Sequence, residues 1–228
     1  MSSSPKKGYL LVFSRPTHPA FSTSHDTFNK WYNEIHIPDI LRLGRANGFT
    51  CAFCYARAGL DPSKPSSTAN TDLEVTYPKD EQWLYLAMYP VPDVERASRP
   101  DSGLYKAPLE HELLPAPGKA MEVAKWELGF WEVVGEGGSD SPKDTDVILV
   151  PVDSSDIPGY DVPGAHPSAL LDYSRKGWEG PDPVRSRLLK FTTPAFNSDG
   201  TGLKQYLAVT LKPEFKTVKY KLYKKFGV

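Results

Sequence analysis

The stretch FNKWYNEIHIPDILRLGRANGFTCAFCYA, residues 28–56, decides how the chain reads. Its first part is helical: Phe28, Trp31, Tyr32 and Ile35 recur at the i, i+3, i+4, i+7 spacing of one helix face. Ser24 and Asp26, both good capping residues, stand just ahead of it. Pro38 ends this helix or restarts it, because proline suits a first turn better than an interior. Asp39-Ile40-Leu41-Arg42-Leu43 then runs to Gly44, and Gly48 to Ala58 has the aromatic and apolar content of a strand.

Working outward, Tyr9 to Ser14 reads as a strand before that helix. After it come a Pro/Ser-rich surface loop from Gly59 to about Pro78, a strand over Trp83 to Tyr89, and a short helix begun at Pro92 to Ala97. Pro100 to Gly118 is proline-rich and expected to be irregular, with one helical turn around Leu109 to Leu113; Lys125 to Val134 is a fourth strand. The order β-α-β-β-α-β is that of the ferredoxin-like fold. Gly135 to Lys143, GEGGSDSPK, has linker composition. The order then returns in reduced form: strands at Asp146 to Val152, Arg185 to Thr192, Gln205 to Leu211 and Val218 to Phe226, a helix at Ser168 to Lys176, and at most one turn at Pro213 to Thr217. The expectation is a tail (1–8), a first unit (9–134), a linker (135–145) and a second, reduced unit (146–228). Two such sheets facing each other would cover each other's free faces and enclose a cavity.

Composition narrows the function. Of 228 residues, 39% are hydrophobic and 24% charged, as in ordinary globular chains, and the formal net charge is -1. That balance offers no field to attract nucleic acid or an anionic membrane. The basic C-terminal KTVKYKLYKKFGV alternates like a strand with one wet face rather than forming a nucleic-acid patch. No apolar run reaches the roughly 18 residues of a membrane span. The start, MSSSPKKGYLLVF, reads as a tail and then a strand rather than a signal peptide, which makes a cytoplasmic setting the default. Cys51 and Cys54 mimic a C-x-x-C motif, but i and i+3 in a strand face opposite sides, so neither a metal site nor a redox pair is expected. No local histidine pair has ligand spacing, and no nucleophile elbow, dinucleotide fingerprint or phosphate loop occurs.

In Trp83 to Tyr89 the set Trp83, Tyr85, Tyr89 alternates with Leu84, Leu86, Met88. We expect the aliphatic set under the helices and the aromatic set on a cavity wall that meets ligand. Phe49, Cys51, Phe53 and Tyr55 repeat the alternation, as do Trp126, Leu128 and Phe130. An aromatic-rich core with no ligand is the other reading of the same pattern.

Trp31, Tyr32, Asn33, His36, Pro38, Asp39 and Leu41, followed by Gly48 and Phe49, resemble the first-helix motif and second-strand opening of EthD-like proteins of the dimeric α+β barrel superfamily. The resemblance covers about a tenth of the chain. It implies a barrel of two ferredoxin-like units, here in tandem as a pseudo-dimer. It also implies a pocket of the kind used by cofactor-free decarboxylases, cyclases, isomerases and monooxygenases on aromatic or polyketide-like compounds, often in natural-product biosynthesis. Other branches of that superfamily bind haem.

His36 leads the residues that can do chemistry, since imidazole takes and returns a proton near neutral pH. It lies four positions after Tyr32, on the helix's buried edge, while Glu34 is expected to face water. Asp39 is placed to accept from His36 and fix its tautomer; alternatively His36 only caps the helix end. His36, Tyr32 and Asp39 are thus the catalytic candidates. Trp31, Tyr9, Phe53, Tyr55, Trp83, Tyr85, Tyr89 and a lid residue, His111, are the substrate-binding ones. His18, His25 and His166 read as loop histidines, and Asp172, Tyr173 and Arg175 as a solvated helix face. The expected activity is cofactor-independent lyase or isomerase chemistry on a small aromatic or polyketide-like molecule. A haem-binding or oxidising barrel and a non-catalytic binding module are the alternatives. No nucleic-acid or membrane partner is expected, and a homodimer stays open.

Overall fold

A computed structural model describes residues 4–21, 24–57, 83–137, 147–152, 186–197, 206–210 and 218–227. Eight antiparallel strands close into a barrel. They are β1 (Gly8–Pro16), β2 (Cys51–Arg57), β3 (Tyr85–Val91), β4 (Ala124–Gly137), β5 (Val147–Val152), β6 (Ser186–Asn197), β7 (Tyr206–Thr210) and β8 (Val218–Gly227). Their order around the barrel is β1-β3-β2-β8-β5-β7-β6-β4.

That order contains two copies of one pattern. The first four strands lie β4-β1-β3-β2, and the last four lie β8-β5-β7-β6, which is the ferredoxin-like order written twice. Two seams join the copies, β2 with β8 and β4 with β6. The expected pseudo-dimeric α+β barrel is therefore the observed fold, with both seams supplied by one chain. The loop expected at Gly59 to Pro78, the helix expected at Ser168 to Lys176, the turn at Pro213 to Thr217 and His166 lie outside the described residues. β4 extends to Gly137, so the first residues of the expected linker continue a strand.

The first unit's sheet is covered by one long helical element. It comprises α1 (Asp26–Trp31), a π-helical turn (Tyr32–His36) and α2 (Ile37–Gly44). Pro38 neither ends the helix nor starts a separate one; it widens it. With no N–H of its own, Pro38 cannot bond the Glu34 carbonyl, and its ring crowds that carbonyl. The ladder skips a residue, and the Ile37 N–H reaches back five positions to the Tyr32 carbonyl.

The second crossover is a long irregular loop with two short helices, α3 (Val94–Ala97) and α4 (Ala120–Val123). Asp93 caps α3, its carboxylate accepting from the Glu95 and Arg96 N–H groups. The helical turn expected at Leu109 to Leu113 is not formed. That segment is held instead by a bridge between Glu110 and Lys119, with a 3₁₀ turn earlier at Leu104–Lys106.

Two apolar clusters lie on the two faces of the first sheet. Leu10, Val12, Ala52, Cys54, Ala56, Tyr85, Ala87, Tyr89, Trp126 and Phe130 pack with Phe28, Trp31, Tyr32, Ile37 and Ile40 of the helix. Tyr9, Leu11, Phe13, Tyr55, Leu86, Met88 and Trp131, with Phe53 and Trp83, face the barrel interior. This reverses the expectation for β3: Tyr85 and Tyr89 lie under the helix, while Leu86 and Met88 face inward. Trp126, Leu128 and Phe130 likewise belong to the helix side, as does Phe49. Both sets are apolar enough for either layer, so alternation alone leaves the direction open. Among the described residues no helix is long and apolar enough to cross a membrane.

Candidate functional site

The candidate substrate-binding residues divide between opposite faces of one sheet. Tyr9, Phe53, Tyr55 and Trp83 line the barrel side, whereas Trp31, Tyr32, Tyr85 and Tyr89 fill the layer between helix and sheet. No single pocket can use all of them. His36 belongs to the helix side too. It is 7% exposed, so it looks neither into bulk water nor into the barrel. Glu34 is exposed, as expected.

The wide π turn sets the geometry at His36. Tyr32 and His36 lie one above the other with ring centroids 5.5 Å apart, and His36 stacks on Trp31 at 4.8 Å with 22° between the planes. Its Nδ1 lies 3.2 Å from the Pro108 carbonyl, on the loop after α3. A carbonyl can only accept, so Nδ1 carries the proton and Nε2 presents a lone pair. Burial drives the ring's pKa down to about 4; the Pro108 hydrogen bond and the Asp39 charge oppose this without cancelling it. The ring is therefore neutral at pH 7. Asp39 does not set the tautomer: its carboxylate pairs with Arg42 at 2.7 Å, one turn along α2. Pro108 holds the position that the sequence reading assigned to Asp39. His36 also does more than cap a helix, because the helix continues through it.

Beneath the π turn, the buried Tyr32 phenol lies near Cys54 and Tyr89; burial raises its pKa, the nearby Cys54 adds to that, and the neighbouring Tyr89 hydroxyl opposes it. Burial pushes the Cys54 thiol up to about 12, so it is no thiolate nucleophile. β2 turns Cys51 and Cys54 to opposite faces, as strand geometry requires.

A second polar group, absent from the catalytic candidates, sits at the start of α1. His25 Nδ1 is 2.8 Å from the Tyr85 hydroxyl, and the Asn29 amide donates to the same oxygen at 3.1 Å. Tyr85 and Asn29 are buried, and burial lowers the His25 pKa to about 4, with Asp26 opposing and Arg15 adding to the shift. The i, i+4 spacing of His25 and Asn29 was readable from the sequence; their meeting with β3 was not.

Among the described residues, two charged side chains not foreseen from the sequence, Glu127 and Arg57, lie on the barrel side of the first sheet. Glu127, opposite Phe13 in the β1–β4 pairing, is 6% exposed, and Arg57, in line with Phe53 and Tyr55 on β2, is 5% exposed. His111, proposed as a lid, is instead tied into its own loop, its Nδ1 accepting from the Leu113 N–H at 3.0 Å.

No family model matches the chain, and no curated protein matches it. Among solved structures it is similar to one titled "Putative monooxygenase" from Fusobacterium nucleatum subsp. nucleatum ATCC 25586. Identity is 7%, with 99% of this chain and 96% of that one covered, at a TM-score of 0.46. The assignment of the fold rests on the strand order itself.

Proposed function

We propose that this chain is an EthD-like barrel enzyme that works by acid/base chemistry, without a bound cofactor, on a small aromatic or polyketide-like molecule. Decarboxylation, isomerisation and cyclisation all share the step it is built for, moving a proton to or from a carbon next to a carbonyl. The observation that carries this reading is the His36 ring, neutral, buried among aromatic side chains, and held by the Pro108 carbonyl so that Nε2 is the acceptor. A base held near 4 is weak on its own. An enolate forming beside it would favour its charged form and raise its basicity as the proton moves. Tyr32 is the nearest phenol to this ring and is kept neutral by burial, so it serves as a hydrogen-bond donor rather than a base.

The test needs no knowledge of the natural substrate. 2-Tetralone carries an enolisable C–H between a ring and a ketone, and its exchange in D₂O can be followed by NMR. The wild-type protein is expected to accelerate that exchange, and His36→Gln to lose about 10² of the acceleration. Equal exchange by wild type and variant would remove His36 from the chemistry. A ring bonded through Nδ1 to a carbonyl is also the form that ligates metals through Nε2. A Soret band gained on titration with haem, and lost in the variant, would move the assignment to the haem-binding alternative.

A further inference from the structure

We infer that the loop Leu104–Gly118 is a lid over the His36 ring, latched by the hydrogen bond from His36 Nδ1 to the Pro108 carbonyl. The starting point is access. His36 is buried, and Trp31, on which it stacks, is fully buried. No small molecule touches this ring unless something moves. The helix that carries it is firmly held, because Phe28, Trp31 and Ile37 are all fully buried in the core beneath. Lifting that helix would take apart the packing of the first unit.

The loop is held far more lightly. Between Leu104 and Gly118 only Ala107 and Leu114 are buried. Its backbone bonds turn inward. Lys106 N–H donates to the Gly103 carbonyl, Ala107 to Leu104, His111 to Gly118, Leu114 to His111 and Gly118 to Pro115. A loop that satisfies its own polar groups can move as one piece without breaking them apart. Among the described residues, two hydrogen bonds tie it to its surroundings. One runs from the Ala120 N–H to the Leu109 carbonyl at 2.7 Å, and the other is the His36 latch at 3.2 Å. The exposed Lys119–Glu110 pair, at 3.9 Å, adds little. His111 belongs to the loop, but its ring accepts from the Leu113 N–H and takes no part in the latch.

Both ends of the loop can turn. Gly103 and Gly118 stand at φ +88 and +80, where glycine moves most freely. Just outside them the chain is pinned. The Asn47 amide donates to the Ser102 carbonyl at 2.8 Å, and Trp126 Nε1 donates to the Ala120 carbonyl at 2.9 Å. Pinned flanks, glycine joints and a self-contained middle are what a hinged swing requires. The underside is apolar, since Leu104, Ala107, Leu113 and Leu114 pack onto the helix-side cluster. Raising the loop frees the His36 Nδ1–H and opens the side of the ring that Pro108 covers. Closing it returns the proton to Nδ1, so Nε2 becomes the acceptor only once the loop is shut. That use of the lid rests on His36 being the reacting group; the opening itself does not.

The test is thiol labelling of the whole chain carrying Cys51→Ala, which leaves the buried Cys54 as an internal reference for opening of the sheet. Ala107→Cys and Leu114→Cys each place a reporter under the loop, one larger and one smaller than the native side chain. Either reporter is expected to react with iodoacetamide at least about tenfold faster than Cys54, relative to their rates in denaturant. Adding His36→Phe keeps the stack on Trp31 and removes the latch. It should speed the reporter about fivefold, the effect of one hydrogen bond, and leave Cys54 unchanged. 2-Tetralone should slow the reporter by holding the loop shut. The lid is overturned if either reporter reacts no faster than Cys54, or if His36→Phe leaves the reporter rate unchanged or raises both thiols alike. It is also overturned if 2-tetralone undergoes His36-dependent exchange without slowing the reporter, since the ring is then reached another way. Fast, latch-dependent labelling with no exchange of 2-tetralone would leave the lid standing and remove the acid/base reading, so the two fail separately.

Discussion

At the scale of the residue, the buried His36 and the half-buried His25 both weaken the fold in acid. An unfolded histidine titrates near 6.5, but His36 is held at about 4 in the folded chain. As pH falls, the unfolded chain takes up the proton first. The stability linked to this ring is therefore complete above about pH 6.5 and is lost on the way down to about pH 4, a span on the order of 3 kcal/mol. His25 acts in the same direction. His36→Phe keeps the stack on Trp31 and removes the titration, so guanidinium unfolding at pH 7 and pH 5 should show a smaller drop for the variant than for wild type. Equal drops would mean that His36 is not buried neutral. That His36 would be buried was legible from its place four residues after Tyr32. What orients it was not, because the Pro108 carbonyl lies 72 positions away.

At the scale of the element, the π turn and the loop after α3 aim the site, and each can be disturbed alone. Pro38→Ala restores an N–H to the Glu34 carbonyl and lets the turn relax to α-helical spacing, changing the rotation of α2 relative to α1 and with it the aim of His36 at the Pro108 carbonyl. The expected outcome is an unchanged or higher melting temperature, since alanine is the better helix residue, together with at least tenfold slower exchange of 2-tetralone. Full exchange in this variant would show that the wide turn does not aim the ring. Gly103 adopts φ +88, and a Cβ there would run into the Leu43 carbonyl. Gly103→Ala should cost about 2 kcal/mol or more in denaturant unfolding, and it should weaken the protection of the His36 Nδ1–H by shifting the loop that carries Pro108. The element order and most strand bounds followed from alternation and capping signals. The π turn did not follow from them, because Pro38 is equally compatible with an end, a restart or a widened turn until its neighbours are packed.

At the scale of the whole molecule, both seams that a two-chain barrel would form between partners are closed here by β8 on β2 and β6 on β4. Deleting residues 218–228 would uncover the hydrogen-bonding edge of β2, and an open strand edge pairs with whatever edge it meets. Size-exclusion chromatography should show that truncation as aggregates or strand-paired dimers; a well-behaved monomer would mean that β8 is not needed to close the barrel. The amino-acid sequence by itself determined the repeated order of strands, the helix that carries His36 and the two-faced character of the first unit's strands, because these depend on neighbours a few residues apart. Only the tertiary structure decided which face turns inward. Tyr85 and Leu86 each have side chains fit for either layer, and the choice went to the face where the Tyr85 phenol oxygen meets Asn29 and His25. A buried hydroxyl must find its partner wherever the chain brings one, and that partner is set by long-range packing rather than by local pattern.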